Sequence, residues 1–146
     1  MGSINSKKGF TLIELLIVLG IIALLALLVF ILLDPSKRFA QARNSQRWSD
    51  ITTILNGVKH YQADNEGEFP PFFPHSPTIV GDGTLGTYNI GKYMEPFYLP
   101  DVPQDPRGGS SSYTCYSVGR IASHGTTIIT VRAECAELNE AIDLKW

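Results

Sequence analysis

The sequence predicts an α+β protein in which a long N-terminal helix packs on a small antiparallel β-sheet head. Residues 15–33 form 19 consecutive positions without a charged or strongly polar side chain, a length typical of a membrane-spanning helix. Apolar side chains then recur at helical spacing between residues 48 and 61. Two segments rich in β-branched and aromatic residues follow near the C-terminus, which favours a β-hairpin.

Length and charge limit the class of protein. The chain has 146 residues and a net charge of −2. Its length excludes a large multi-domain enzyme, and its single long apolar run excludes a many-pass transporter. Residues 1–33 carry +1, residues 34–65 carry +2 and residues 66–146 carry −5. A basic stem would favour anionic lipid headgroups, although ordinary surface charge accounts for the same pattern. No basic patch predicts a direct nucleic-acid site.

The N-terminal segment predicts a retained membrane anchor. Its apolar run exceeds the roughly 7–15 residues of a secretory signal peptide, and no small residues suited to signal peptidase follow it. Glu14 lies one helical turn inside this anchor. A carboxylate deep in a bilayer costs about 2.5–3.5 kcal/mol and is therefore a functional candidate. The alternative is that Glu14 lies at the headgroup level, where the cost is small.

Residues 7–14, Lys-Lys-Gly-Phe-Thr-Leu-Ile-Glu, resemble the processing site of type IV prepilins and of type II secretion pseudopilins. The resemblance implies that residues 1–9 are a leader peptide, which a prepilin peptidase removes between Gly9 and Phe10, and that the new amine of Phe10 is methylated. It also implies that Glu14 pairs with the Phe10 amine of a neighbouring subunit. Pairing within one chain is the competing possibility.

The stem is predicted in two parts. Residues 10–33 would form a helix of about 36 Å, enough to cross a bilayer core of about 30 Å. Asp34 and Pro35 predict a break, because proline disrupts a helix interior whereas Asp-Pro suits the start of a new helix. Residues 34–65 form the amphipathic second half, with helix to about residue 63. The apolar face that docks on the sheet comprises Trp48, Ile51, Ile54, Leu55, Val58 and Tyr61; Arg47, Asp50, Asn56 and Lys59 are expected on the opposite face.

The head is predicted in two segments. Residues 66–112 form a Pro/Gly-rich loop region with a short helical turn within residues 90–98. Residues 113–146 form a β-hairpin and a C-terminal segment, with strands at 113–118 and 126–133 and a loop around residues 123–125. Antiparallel pairing centred near Gly125 would place Cys115 opposite Cys135. A disulfide between them would contribute about 3 kcal/mol and would indicate an oxidising compartment; two separate thiols are the alternative.

Catalytic and cofactor chemistry is not predicted. His60, His75 and His124 lack metal-ligand spacing and are expected at the surface. Some major pseudopilins bind calcium in the head, and the resemblance makes Asp101 and Asp105 weak candidates. Two carboxylates fall short of the 6–8 oxygen ligands that calcium takes, so neither a metal nor another cofactor is expected.

The sequence therefore predicts a structural subunit, not an enzyme. The helix would anchor it in the cytoplasmic membrane and then pack in the core of a helical homo-oligomeric filament, extracellular or within the cell envelope. The resemblance implies three partners: the prepilin peptidase, an assembly ATPase and an inner-membrane platform protein. Alternatives are a major pseudopilin of a type II secretion or DNA-uptake system and a monomeric membrane-tethered binding module with proline-rich loops.

One charge pattern opposes this topology. Lys7 and Lys8 precede the anchor, whereas four bases follow it within about 15 residues: Lys37, Arg38, Arg43 and Arg47. Lys and Arg are normally enriched on the cytoplasmic side, so the count alone would place the head inside. The motif and the two cysteines favour an extracytoplasmic head.

Overall fold

The computed structural model describes residues 9–123 and 125–146. Lys7, Lys8 and His124 lie outside the described residues. The chain divides into two compact units, one ending at Arg38 and the other comprising Phe39–Trp146. The elements in chain order are α1 (Leu12–Leu33), α2 (Pro35–Asp64), β1 (Thr78–Ile79), α3 (Gly91–Met94), β2 (Tyr116–Ser123), β3 (Thr126–Ala133) and β4 (Ile142–Lys145).

Helix α1 is an apolar rod whose side chains have no protein neighbours to cover them. None of its 22 residues is buried, and Glu14 is the one charged residue among them. By length and composition it is able to cross a membrane. Exposure of this much apolar surface to water is strongly unfavourable, so the helix requires lipid or other apolar helices around it.

The predicted break between the two helices is confirmed. Asp34 ends α1 in a left-handed conformation, with φ of 38°, and α2 begins at Pro35. The Asp34 carboxylate accepts hydrogen bonds from the Ser36 hydroxyl (2.7 Å) and from the Lys37 backbone N–H (3.4 Å). The bond from Lys37 satisfies one of the backbone N–H groups that a helix start leaves unpaired.

The head is a four-stranded antiparallel sheet in the order β1-β2-β3-β4. Its core combines the predicted apolar face of α2 with the inner face of β2 and β3. Ile51, Ile54 and Val58 are fully buried, and Trp48 and Tyr61 pack against the core while partly exposed. The α+β architecture expected from the sequence is confirmed.

The prediction that Arg47 and Asp50 lie on the exposed polar face of α2 is wrong. Arg47 is completely buried and Asp50 is 8% exposed, although both were expected opposite the apolar stripe; Asn56 is exposed as expected. The reason is that the head supplies polar partners for them. Asp105 pairs with Arg47, and the Tyr116 hydroxyl donates to the Asp50 carboxylate at 2.6 Å.

The strands differ from the prediction in extent and register. Strand β3 has the predicted bounds, but β2 begins at Tyr116 instead of residue 113, and the two- and four-residue strands β1 and β4 were not predicted. Ser123 pairs with Thr126, so Tyr116 pairs with Ala133. The register is therefore displaced by one residue from the predicted pairing centred on Gly125. In agreement with this displacement, Glu134 instead of Cys135 lies opposite Cys115, and its backbone N–H donates to the Cys115 carbonyl at 2.9 Å.

Loops of the Pro/Gly-rich region are held against the sheet at close range. Gly119 of β2 has no room for a side chain: an added Cβ would lie 2.6 Å from the backbone carbon of Ser76. The short helical turn expected within residues 90–98 is present as α3. The ion pair between Asp105 and Arg47 holds the loop that contains Asp105 beside α2.

Candidate assembly site and the charge cluster of the head

The start of α1 contains the predicted assembly residue Glu14 in a reciprocal helix cap. One Glu14 carboxylate oxygen accepts hydrogen bonds from the Thr11 backbone N–H (3.2 Å) and from the Thr11 hydroxyl (3.1 Å). The Glu14 N–H donates in return to the Thr11 hydroxyl at 3.2 Å. Such a capping box satisfies donors that a helix start leaves unpaired, and the adjacent helix N-terminus favours the negative charge. Glu14 is thus held at the tip of the apolar helix.

The predicted cleavage site is sterically open. Gly9 and Phe10 are exposed, and apart from Gly9 and its chain neighbours no atom of the described residues lies within 4 Å of a Cβ built on Gly9. Phe10 as a whole is 83% exposed. Within this chain Glu14 is bonded to Thr11, and no hydrogen bond joins its carboxylate to Phe10 among the described residues.

A second polar site, which sequence reasoning missed, lies in the head around Arg47. The guanidinium donates to both Asp105 carboxylate oxygens, at 2.5 and 3.0 Å, and neither side chain is exposed. A third guanidinium nitrogen donates to the Asn44 side-chain oxygen at 2.7 Å. The charge is therefore buried together with its counter-charge, which is the condition under which buried ions are tolerated.

Both carboxylate oxygens of Asp105 accept hydrogen bonds from other residues of the chain. Burial alone would raise the pKa of its carboxyl, but hydrogen bonds from Arg47 and from the backbone N–H groups of Arg107 and Gly108 outweigh that effect and lower it. The pKa of Arg47 is raised, chiefly by its hydrogen bond to Asp105. Both groups are therefore charged at neutral pH.

Glu137 joins the C-terminal segment to the same cluster. Its carboxylate accepts from three arginines: Arg43 at 2.6 and 2.8 Å, Arg47 at 3.1 Å and Arg107 at 2.7 Å. These contacts, led by the hydrogen bonds from Arg43, lower the pKa of Glu137 from 4.5 to about 2. The Asn44 side chain bonds both the N–H and the carbonyl of Glu137, so side-chain and backbone contacts together hold this segment on α2.

Cys115 and Cys135 are joined by a disulfide, with their Cα atoms 5.6 Å apart. The bond spans the base of the β2–β3 hairpin, two residues before Glu137. A Cβ at Gly108, whose N–H caps Asp105, would lie 3.7 Å from the Cys115 sulfur. The disulfide thus fixes the point where the chain leaves the sheet for the charge cluster.

The two residues that the resemblance suggested for calcium lie in different surroundings. Both oxygens of Asp105 are bonded to Arg47, whereas Asp101 is exposed. Among residues 9–123 and 125–146, no three His, Cys, Asp or Glu side chains are arranged to hold a metal. His60 and His75 are exposed, as expected for surface residues.

One sequence signal pointed to the cluster. Arg43 and Arg47 lie one turn apart on α2, and Arg47 directly precedes Trp48, the first residue of the apolar face. An arginine at the edge of a buried face requires a buried acid. The two acids that meet it lie 58 and 90 residues away in the chain, and the sequence does not show which acids those are.

The N-terminal segment matches a protein-family model. Residues 4–30 match the family model described as the prokaryotic N-terminal methylation motif. These residues include Gly9, Phe10 and Glu14.

The similarity to known proteins extends over most of the chain. The chain is 31% identical over 108 residues to the type II secretion system core protein G of Escherichia coli K12, covering 74% of this chain and 72% of that protein. It is 30% identical over 102 residues to the protein of the same name from Aeromonas hydrophila, covering 70% and 68%. No solved structure matches. Together with the apolar α1 and the α+β head, these similarities show that the chain belongs to the type IV pilin and type II secretion pseudopilin family and is a pilin-like filament subunit.

Proposed function

We propose that this subunit waits in the cytoplasmic membrane as a single-pass protein with its head outside, and joins a homo-oligomeric helical filament after its leader is removed. The observation that carries the proposal is α1: all of its side chains are exposed, and its tip holds a carboxylate. Lipid covers such a helix before assembly, and the α1 helices of other copies cover it afterwards. The disulfide supports an extracytoplasmic head, since disulfides persist in oxidising compartments.

The proposed processing site is the Gly9–Phe10 bond, cut by a prepilin peptidase that also methylates the Phe10 amine. The exposed backbone at Gly9 supports access by a peptidase, because glycine lets a protein approach closely. Mass spectrometry of the mature N-terminus tests this. Gly9→Leu should retain residues 1–9, whereas the control Gly2→Leu, in the same leader but outside the motif, should be processed normally. Retention of the leader on assembled wild-type protein would refute the assignment.

The proposed role of Glu14 is to pair with the freed Phe10 amine of a neighbouring subunit. Before assembly the Thr11 cap satisfies one of its oxygens with neutral donors. A cation offered by a neighbour forms a stronger, charge-assisted bond, and an ion pair reduces the cost of the carboxylate in an apolar surrounding. The growing filament thereby favours addition of the next subunit.

Two isosteric variants separate the charge of Glu14 from the cap. Glu14→Gln keeps a capping side chain but removes the charge, and it should be processed normally yet yield few filaments in sheared surface material viewed by electron microscopy. Thr11→Val removes the cap but keeps the charge, and it should retain most assembly. Normal filament yield from Glu14→Gln would exclude the charge-pairing role.

A second candidate is a major pseudopilin of a type II secretion system, in which the filament stays within the envelope. It is favoured by the names of the two relatives and by the extent of the similarity, which covers at least 70% of this chain. An assembly ATPase and a membrane platform protein are the proposed partners in either case.

Deletion of the subunit separates these candidates. It should abolish the export of secreted enzymes if the protein is a secretion pseudopilin, and it should abolish surface fibres if the protein is a pilus subunit. Under the third possibility, a monomeric binding module, the protein would remain uncleaved and unassembled.

A further inference from the structure

The excess of bases after the anchor is only partly neutralised when the head folds. Arg43 and Arg47 form ion pairs with Glu137 and Asp105 at 2.5–3.1 Å. Lys37 and Arg38 are exposed, and no salt bridge or side-chain hydrogen bond from either is present among the described residues. Two of the four bases that oppose the topology therefore keep an unpaired charge.

These two bases lie within reach of the membrane surface. Helix α1 contains 22 residues, about 33 Å of helix, which matches a hydrocarbon core of about 30 Å. Lys37 and Arg38 follow its last residue by four and five positions, so at about 1.5 Å per residue they lie no more than about 8 Å farther along a helix. The headgroup layer on each side is about 5–8 Å thick. Their side chains therefore reach phosphate depth.

The nearest acid in the sequence, Asp34, forms no salt bridge with either base among the described residues. The Asp34 carboxylate is bonded to the Ser36 hydroxyl and to the backbone N–H of Lys37, so it is directed at the start of α2. The ammonium group of Lys37 and the guanidinium of Arg38 remain open to an anion. A guanidinium binds phosphate oxygens in a two-pronged geometry, whereas an ammonium group acts as a point charge.

From these observations we infer that Lys37 and Arg38 form a binding site for the phosphate of anionic phospholipids on the outer leaflet, occupied while the subunit is unassembled. This inference rests on the membrane anchor and not on the filament. The bound lipid phosphate provides the counter-charge that the head provides for Arg43 and Arg47. Each base near an anionic membrane surface raises the binding constant for that surface about fivefold, so the pair raises it about 25-fold.

Native mass spectrometry of the full chain tests the site directly. The protein is extracted from vesicles containing equal amounts of phosphatidylglycerol and phosphatidylethanolamine, and the ratio of the two bound lipids is measured. Wild type should favour phosphatidylglycerol, and Lys37→Gln with Arg38→Gln should lower the ratio at least tenfold. The control, Lys92→Gln with Lys145→Gln, makes the same charge change at exposed positions in the head and should leave the ratio unchanged.

Two outcomes would overturn the inference. An unchanged ratio in the Lys37/Arg38 variant would exclude the site, and if filaments were also lost, the two bases would instead be assigned to a contact with a second copy. An equal loss in the control would reduce the effect to net charge. Near-UV circular dichroism checks that the head is folded in each variant, which is expected because all four substituted side chains are exposed.

Discussion

Removal of the charge of Asp105 should strongly destabilise the head. Asp105→Asn keeps the size of the side chain and an oxygen for the capped turn, but it leaves the completely buried Arg47 with one remaining acid, Glu137 at 3.1 Å, which Arg43 and Arg107 share. Removal of one partner from a buried ion pair costs about 3–5 kcal/mol. For a domain of about 100 residues this corresponds to a fall in Tm of about 15–25 °C.

The assay is thermal unfolding of the full chain in detergent micelles, followed by near-UV circular dichroism and tryptophan fluorescence. Trp48 is a suitable reporter because its indole N–H donates to Glu140, beside the cluster, at 3.1 Å. The loss should be similar at 50 and 500 mM salt, since buried charges are weakly screened. Arg107→Gln, which removes the 70% exposed partner of Glu137, is the control and should shift Tm little, since exposed ion pairs contribute little to stability.

The double variant Arg47→Met with Asp105→Asn tests the reasoning further. It removes both charges, so no buried ion is left unpaired, and it should regain part of the stability lost in Asp105→Asn. A single variant that melts within a few degrees of wild type would refute the argument, because it would mean that water or another acid satisfies Arg47.

Further predictions concern the crosslink, acid stability, packing and calcium. Denatured, unreduced protein should show no free thiols, and replacing Cys115 and Cys135 with serine should destabilise the head by about 3 kcal/mol in urea unfolding; two free thiols would contradict the disulfide. Because the pKa of Glu137 is lowered from 4.5 to about 2 by folding, its contribution is fully present above pH 4.5 and is lost as the pH falls towards 2. Glu137→Gln should therefore flatten this part of a stability-versus-pH curve, and an unchanged acid limb would exclude its role. Gly119→Ala should lower Tm markedly because the new Cβ would lie 2.6 Å from backbone, and an unchanged Tm would show that the segment before β1 shifts freely. Calcium and a chelator should give the same Tm, since Asp105 is held by Arg47; a saturable rise with calcium would reveal a site elsewhere.

Local sequence determined the anchor, the break and one strand. A run of apolar residues needs no distant partner to form a helix in lipid, because all backbone hydrogen bonds are made within the segment. Asp34 and Pro35 end one helix and start the next through groups within three residues of each other. Residues 126–133 were predicted correctly because their side chains favour a strand irrespective of register. The N-terminal motif is likewise local, and for that reason the family was evident from eight residues.

Only the tertiary structure determined which charged side chains are buried, which partners they have and which register the hairpin adopts. Helical spacing places Arg47 beside an apolar face, but its burial depends on Asp105 and Glu137, which reach it from loops far along the chain. The same holds for β1 and β4, which are too short to form without a neighbour that supplies their hydrogen bonds. A one-residue change of register exchanges the faces of a strand, so the packing of Tyr116, Val118 and Val131 against α2 selects the alignment. Local patterns state which side chains need to be buried, whereas the energy of burying a charge depends on partners that only the folded chain brings together.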